Sequence, residues 1–153
     1  MVKMIDRNDV DDYIGYQSEP TEWFTITQDQ IDEFADCTHD QQFIHVDPEK
    51  ARDTHFGTTI AHGFLTLSML SYFAGSYSVI IEGFYMGVNY GFDKVRFLAP
   101  VKVNSRIRAV PRIMDIVEKK PGQFMIKTEV VIEIEGEDKP ALIAEWLGVQ
   151  MVA

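Results

Sequence analysis

The stretch Ala61-His62-Gly63-Phe64-Leu65-Thr66-Leu67-Ser68-Met69-Leu70-Ser71-Tyr72-Phe73-Ala74-Gly75-Ser76-Tyr77 decides the fold. Apolar side chains surround it on nearly every side, and a helix of that kind is normally buried. At 1.5 Å per residue it spans roughly 25 Å, enough to cross a sheet diagonally. After Gly83 the period changes to two. Phe84, Met86, Val88, Tyr90 and Phe92 alternate, and the apolar positions then slip to Val95 and Phe97, which marks Gly91 as a bulge.

Working outward, three further strands follow. One spans about Val103 to Glu118, with Pro111 predicting an irregularity or an edge. A turn at Lys119-Lys120-Pro121-Gly122 leads to Phe124–Ile134, which alternates cleanly and turns Lys127, Glu129 and Glu133 outward. Gly136-Glu137-Asp138-Lys139 is the next turn, and a last strand runs from Ala141 to Met151. Towards the N-terminus, a short strand fits Trp23 to Thr25. Thr27-Gln28-Asp29-Gln30 reads as a capping box that opens a helix with Ile31, Phe34 and Ala35 on one face. Asp47-Pro48 starts another helix, and Cys37 to Val46 between them reads as a polar loop. Four long antiparallel strands in a meander plus one buried helix make a two-layer α+β domain over residues 1–153. A helix wrapped by a curved antiparallel sheet is the hotdog arrangement.

The chain has 153 residues, a formal net charge of -10, 46% hydrophobic and 25% charged residues. Such an acidic chain lacks the basic footprint that nucleic acid or an anionic membrane requires. The sole cysteine, Cys37, cannot form an internal disulfide, and it reads as a small buried side chain at a helix end. Met1 to Val10 is charged and has no apolar core of a signal peptide, and the Ile60–Tyr77 stretch is too polar and short for a span. The expectation is a cytoplasmic, reduced protein.

Two polar clusters could carry chemistry. The first is His39-Asp40-Gln41-Gln42-Phe43-Ile44-His45-Val46-Asp47, and the second is Ala61-His62-Gly63 at the start of the long helix. A carboxylate and an imidazole sharing one water can divide acid and base roles, which makes Asp40 and His45 a candidate pair. A helix start carries free amides and a positive dipole end, so the Gly63 N–H can stabilise a developing oxyanion. Each residue also has an ordinary reading: Asp40 as a turn residue, His45 as a hydrogen-bonded structural histidine, His62 as a shaper of the helix start, His39 and His55 as surface residues. Ser68 and Ser71 lie three residues apart on the helix, where one could orient Asp40 and where back-bonding is as natural. Asn89 is a candidate for a substrate pocket, as are Gln42 and His62. No His-x-x-x-His or Cys-x-x-Cys spacing supports zinc, so no metal is expected.

The segments ADCTHDQQFIHVDP (35–48) and FGTTIAHGFL (56–65) together resemble the MaoC-like dehydratase family, which includes (R)-specific enoyl-CoA hydratases. GVNYGFDKVRFLAP (87–100) and IEGEDKPA (134–141) resemble its nodulation-protein-N-like branch. The resemblance covers nearly the whole chain. It implies a homodimeric hotdog fold, or a higher oligomer, with catalytic roles at Asp40 and His45 and an oxyanion contact at the Gly63 amide. It implies reversible hydration of a trans-2-enoyl thioester, usually of coenzyme A, with no metal or redox cofactor. The family's loop commonly reads Asp-x-Asn-Pro-Ile/Leu-His. Here Gln42 and Phe43 replace Asn-Pro, and His39 stands where Gly is common. Losing Pro removes a fixed φ ahead of the histidine. A hotdog thioesterase and a non-catalytic acyl-thioester binder stay open as alternatives, because one fold hosts many functions.

Overall fold

A computed structural model describes residues 1–153. Its long helix, α4 (Gly63–Tyr77), lies in the hollow of a curved antiparallel sheet. Ahead of α4 come β1 (Lys3–Ile5), a 3-10 turn at Arg7–Tyr13, β2 (Phe24–Thr25), α1 (Gln28–Thr38), α2 (Phe43–Val46) and α3 (Pro48–Arg52). After it come β3 (Val79–Ile81), β4 (Phe84–Phe97), β5 (Arg106–Lys120), β6 (Gln123–Ile134) and β7 (Leu142–Val152). This is the hotdog arrangement of an α+β protein.

The strand order is β2-β5-β6-β7-β4, which corrects the simple meander. β5, β6 and β7 are joined by hairpins, but β4 pairs with β7 at the opposite edge from β5. The link from β4 to β5, residues 98–105, therefore crosses the end of the sheet. On its way Leu98 bonds the Ala141 carbonyl, the Val101 carbonyl accepts from Ala61, Val103 bonds Thr59 and Asn104 bonds Ile26. That crossing pins the segment just before α4, which is where the candidate residues sit.

The period-two patterns have their predicted effect. Phe124, Ile126, Val130, Ile132 and Ile134 of β6 are buried. Lys127, Glu129 and Glu133 face the other way and pair with Asp93, Arg112 and Arg108. The register of β4 slips between Asn89 and Gly91, the bulge expected there. Pro111 lies where β5 lacks a continuous neighbour; its carbonyl accepts from the Ser18 amide and the Gln17 side chain.

Three expectations change. α4 starts at Gly63, and it is not covered all round: Phe64 is 69% and Tyr72 60% exposed. One face, with Leu65, Met69, Leu70 and Phe73, fills the sheet; on the other, Phe24 lies against Tyr72 and Phe97 edge-on to Phe64, and both helix side chains stay largely exposed. Cys37 is exposed. At 100° per residue it stands about 200° round the helix from Ala35, on the side away from the core. The polar loop holds a short helix, α2, built on Phe43 and Ile44. The first residues also contribute a strand: β1 runs parallel to β3, over a second apolar cluster with Ile113, Phe124 and Val152.

Candidate active site

His45 sits on α2, and α2 is tied to the segment before α4 by two bonds to one residue. The Ile60 amide donates to the Ile44 carbonyl at 3.0 Å. The Ile60 carbonyl accepts from Nδ1–H of His45 at 2.7 Å. Because a carbonyl can only accept, this bond fixes the proton on Nδ1 and leaves Nε2 with its lone pair. The ring is buried, 6% exposed. Gln28 adds a brace: its amide group donates to the His45 carbonyl at 2.8 Å, while its oxygen accepts from the buried hydroxyl of Thr59. Burial holds the His45 imidazole below its ordinary pKa of 6.5, and His62 acts in the same direction. The Ile60 bond and the Asp40 charge oppose them.

Asp40 lies on the turn between α1 and α2, with its carboxylate exposed. One carboxylate oxygen accepts from the Gln42 amide at 3.4 Å. His39, just before it, ends α1 with φ 62°, in the left-handed region. That conformation is the reason glycine suits the position. Gln42 stands at φ −59° and ψ 135° as the N-cap of α2, and its side chain makes no capping bond.

His62 joins the two halves. It is 3% exposed and stacks on His45 with ring centroids 3.8 Å apart. Phe34 packs on it at 4.9 Å. Its Nε2–H donates to the Asp40 carbonyl at 3.1 Å, and its Nδ1 has no partner. Polar atoms of Asp40, His45 and His62 all lie within 4.8 Å of one another. That spacing could suggest a cation. The two imidazole planes are only 24° from parallel, however, so their in-plane lone pairs run side by side instead of converging on one ion.

Gly63 follows His62 as the first residue of α4. The Leu65 and Thr66 amides close the first turn onto the His62 carbonyl, and the Gly63 amide bonds to nothing in the chain. A side chain there would meet the Phe97 ring at 3.1 Å. Asp40, His45 and His62 are thus brought together, and Gly63 follows His62 directly in the chain. Ser68 stands apart; its hydroxyl bonds back to the Phe64 carbonyl at 2.7 Å, at the exposed face. Ser71 and Asn89 line a separate cavity beneath the second half of α4. His39 and His55 are exposed and stand outside the cluster. Gln28, Thr59 and the Ile60 carbonyl were invisible to sequence reasoning. Gln28 is 17 residues from the histidine it braces and read only as part of a capping box.

The profile of the MaoC like domain matches residues 10–136, and the chain belongs to that family, whose relatives include hydratases and dehydratases. Nodulation protein N of Rhizobium leguminosarum bv. viciae is 47% identical over 140 residues, covering 91% of this chain and 87% of the relative. The 3-hydroxyacyl-thioester dehydratase Z of Mycobacterium tuberculosis is 44% identical over 131 residues, 86% of each chain. The solved (R)-hydratase from A. caviae involved in PHA biosynthesis superposes with a TM-score of 0.72 at 23% identity, covering 88% of this chain and 94% of that one. The last comparison speaks to fold alone.

Proposed function

We propose that the protein reversibly hydrates a trans-2-enoyl thioester, in the coenzyme A form, to the (R)-3-hydroxyacyl thioester. The observation that carries this reading is the His45 ring. It is buried, held as the Nδ1–H tautomer by Ile60, and clustered with the Asp40 carboxylate. A neutral imidazole with a free Nε2 is the base that water activation needs. In this reading water attacks C3 as His45 takes its proton, and the imidazolium so formed returns that proton through Asp40 to C2 on the same face. The thioester carbonyl lies at the Gly63 amide, which steadies the enolate-like charge. The chemistry uses these residues alone, without a metal or redox cofactor.

The working unit in this proposal is a homodimer. β4 is a long edge strand on which Tyr85 and Tyr90 are largely exposed, and α4 leaves Phe64 and Tyr72 open. An uncovered apolar surface of this extent suits a second copy of the chain.

The test is hydration of crotonyl-CoA, followed as loss of enoyl absorbance. Asp40→Asn and His45→Gln each lower the rate by about 10²- to 10⁴-fold. Full activity in both variants overturns the mechanism, and release of free thiol makes the protein a thioesterase instead.

A further inference from the structure

The first turn of α4 lines a groove of about 220 Å³, with Gly63 and Thr66 on the helix side and the Phe97–Val101 link opposite. The Gly63 amide bonds to nothing in the chain. Thr66 is only 3% exposed. The serines that follow it satisfy their hydroxyls locally: Ser68 bonds back to the Phe64 carbonyl, Ser76 to Phe73 and Ser78 to Ala74. The Thr66 hydroxyl makes no such bond, yet it is not sealed from solvent as Nδ1 of His62 is. A residue buried to this degree meets solvent only at the groove it lines.

Buried polar groups are nearly always paired, so a free hydroxyl beside a free amide calls for a ligand that bonds both. The two residues are three positions apart, about 4.5 Å along the helix axis. No charged residue lines the groove, and Ile60, Leu98, Pro100 and Val101 make most of it apolar. A charged group there would lack a counter-charge, which is strongly unfavourable. The ligand is therefore neutral and largely apolar, with two polar groups about one helical turn apart.

A thioester has two arms. With its carbonyl at Gly63, the arm bearing C2 and C3 must face Asp40 and His45, and neither of those residues lines this groove. The groove is left for the thiol arm. In coenzyme A that arm is pantetheine, a neutral chain in which two methylenes separate the sulfur from an amide. A hydroxyl can donate to the amide carbonyl or accept from its N–H. Phe97 and Pro100 are exposed, so the rest of the arm can leave towards solvent. Resting on the thioester-hydratase reading, we propose that this groove binds the pantetheine arm of the substrate and that the Thr66 hydroxyl hydrogen-bonds the amide nearest the sulfur.

The experiment measures hydration of two crotonyl thioesters. One, of N-acetylcysteamine, keeps that amide; the other, of pentanethiol, has methylenes in its place. Thr66→Val, similar in shape but without the hydroxyl, lowers the amide-to-alkyl ratio of kcat/KM by on the order of 10-fold, the loss of one hydrogen bond. Thr66→Ser keeps the ratio. A ratio that Thr66→Val leaves unchanged overturns the proposal while the hydratase reading stands. If wild type hydrates neither thioester, nor crotonyl-CoA, the hydratase reading fails and methyl NMR decides the groove's role by itself. Saturated butyryl-pantetheine then shifts the Thr66 methyl resonance of wild type, and an unmoved resonance overturns the proposal. Acyl carrier protein presents the same arm, and kcat/KM for crotonyl-CoA against the crotonyl carrier protein reads which of the two supplies it.

Discussion

The His62 imidazole lies on the His45 imidazole, centroids 3.8 Å apart, and reaches over it to bond the Asp40 carbonyl. One buried ring thereby sets the position of both members of the candidate pair. It also disfavours a positive charge on His45, since two stacked imidazoliums would repel. His62→Phe keeps a flat ring in the stack but removes the donor and the titratable nitrogens beside His45. The acid limb of the kcat/KM profile then moves to higher pH, and kcat falls more than KM changes. Loss of the bond costs about 1 kcal/mol of stability. A pH–rate profile checks this, and an unmoved limb would show that His62 only fills space.

Stability should carry the same signature at His45. Its folded pKa lies below 6.5, with burial the first cause. The folded state thus binds the proton less well than the unfolded chain does. His45's contribution is fully present above pH 6.5 and is lost as pH falls through the lowered folded value. Denaturant titrations of wild type and His45→Gln at several pH values isolate it. The difference between the two proteins shrinks on acidification below pH 6.5, and a difference that grows would reverse the assignment.

The replaced Asn-Pro pair offers a test of local backbone physics. Phe43 occupies the first helical position of α2, where a proline forfeits no intrahelical bond. Gln42 before it already has the extended φ and ψ that a following proline demands. Phe43→Pro should therefore raise stability by about 0.4–1 kcal/mol, by restricting the unfolded chain. Thermal melts decide the matter, and a lower Tm would mean that the Phe43 ring contributes more than its half-exposed position suggests.

These cases show where the sequence was legible. The Thr27 cap, the period change after Gly83 and the Gly91 bulge are local signals, and each produced the element expected, although the Gln30 side chain turns to Met69 instead of closing the box on Thr27. The acid–base candidates were legible because Asp40 and His45 share one short loop. What escaped notice depends on residues far apart in the chain. β4 joins β7 because the 98–105 link crosses the sheet end, and β1 finds β3 across more than seventy residues. The stack of His62 on His45 arises from the Ile60 bonds, which no periodicity encodes. Cys37 was misplaced because only its helical angle, not its chemistry, decides its exposure.

Gly63 separates two roles of a glycine. Its amide is unpaired, and a methyl group there would press on Phe97 at 3.1 Å. Phe97 is itself half exposed, so its ring can yield. Gly63→Ala should then leave the melting temperature within a few degrees of wild type. The methyl would stand where a thioester carbonyl must approach the amide, lowering kcat/KM by about 10²-fold. Circular-dichroism melts and crotonyl-CoA kinetics measured together separate the effects. A Tm loss matching the activity loss would assign Gly63 to packing alone.

The edge of β4 supplies the last prediction. Tyr90 is 70% exposed on a strand whose outer side has no neighbour in the chain. If a second copy covers that side, a carboxylate at position 90 must be desolvated on association, and two such charges approach each other across a symmetric interface. Tyr90→Glu should therefore dissociate the dimer, while the isolated chain keeps its fold because the side chain contributes little to either core cluster. Sedimentation velocity reads the outcome directly: wild type sediments as a dimer and Tyr90→Glu as a monomer at the same concentration, with matching far-ultraviolet spectra. A wild-type protein that is monomeric, or a variant that remains dimeric, places the contact elsewhere on the molecule.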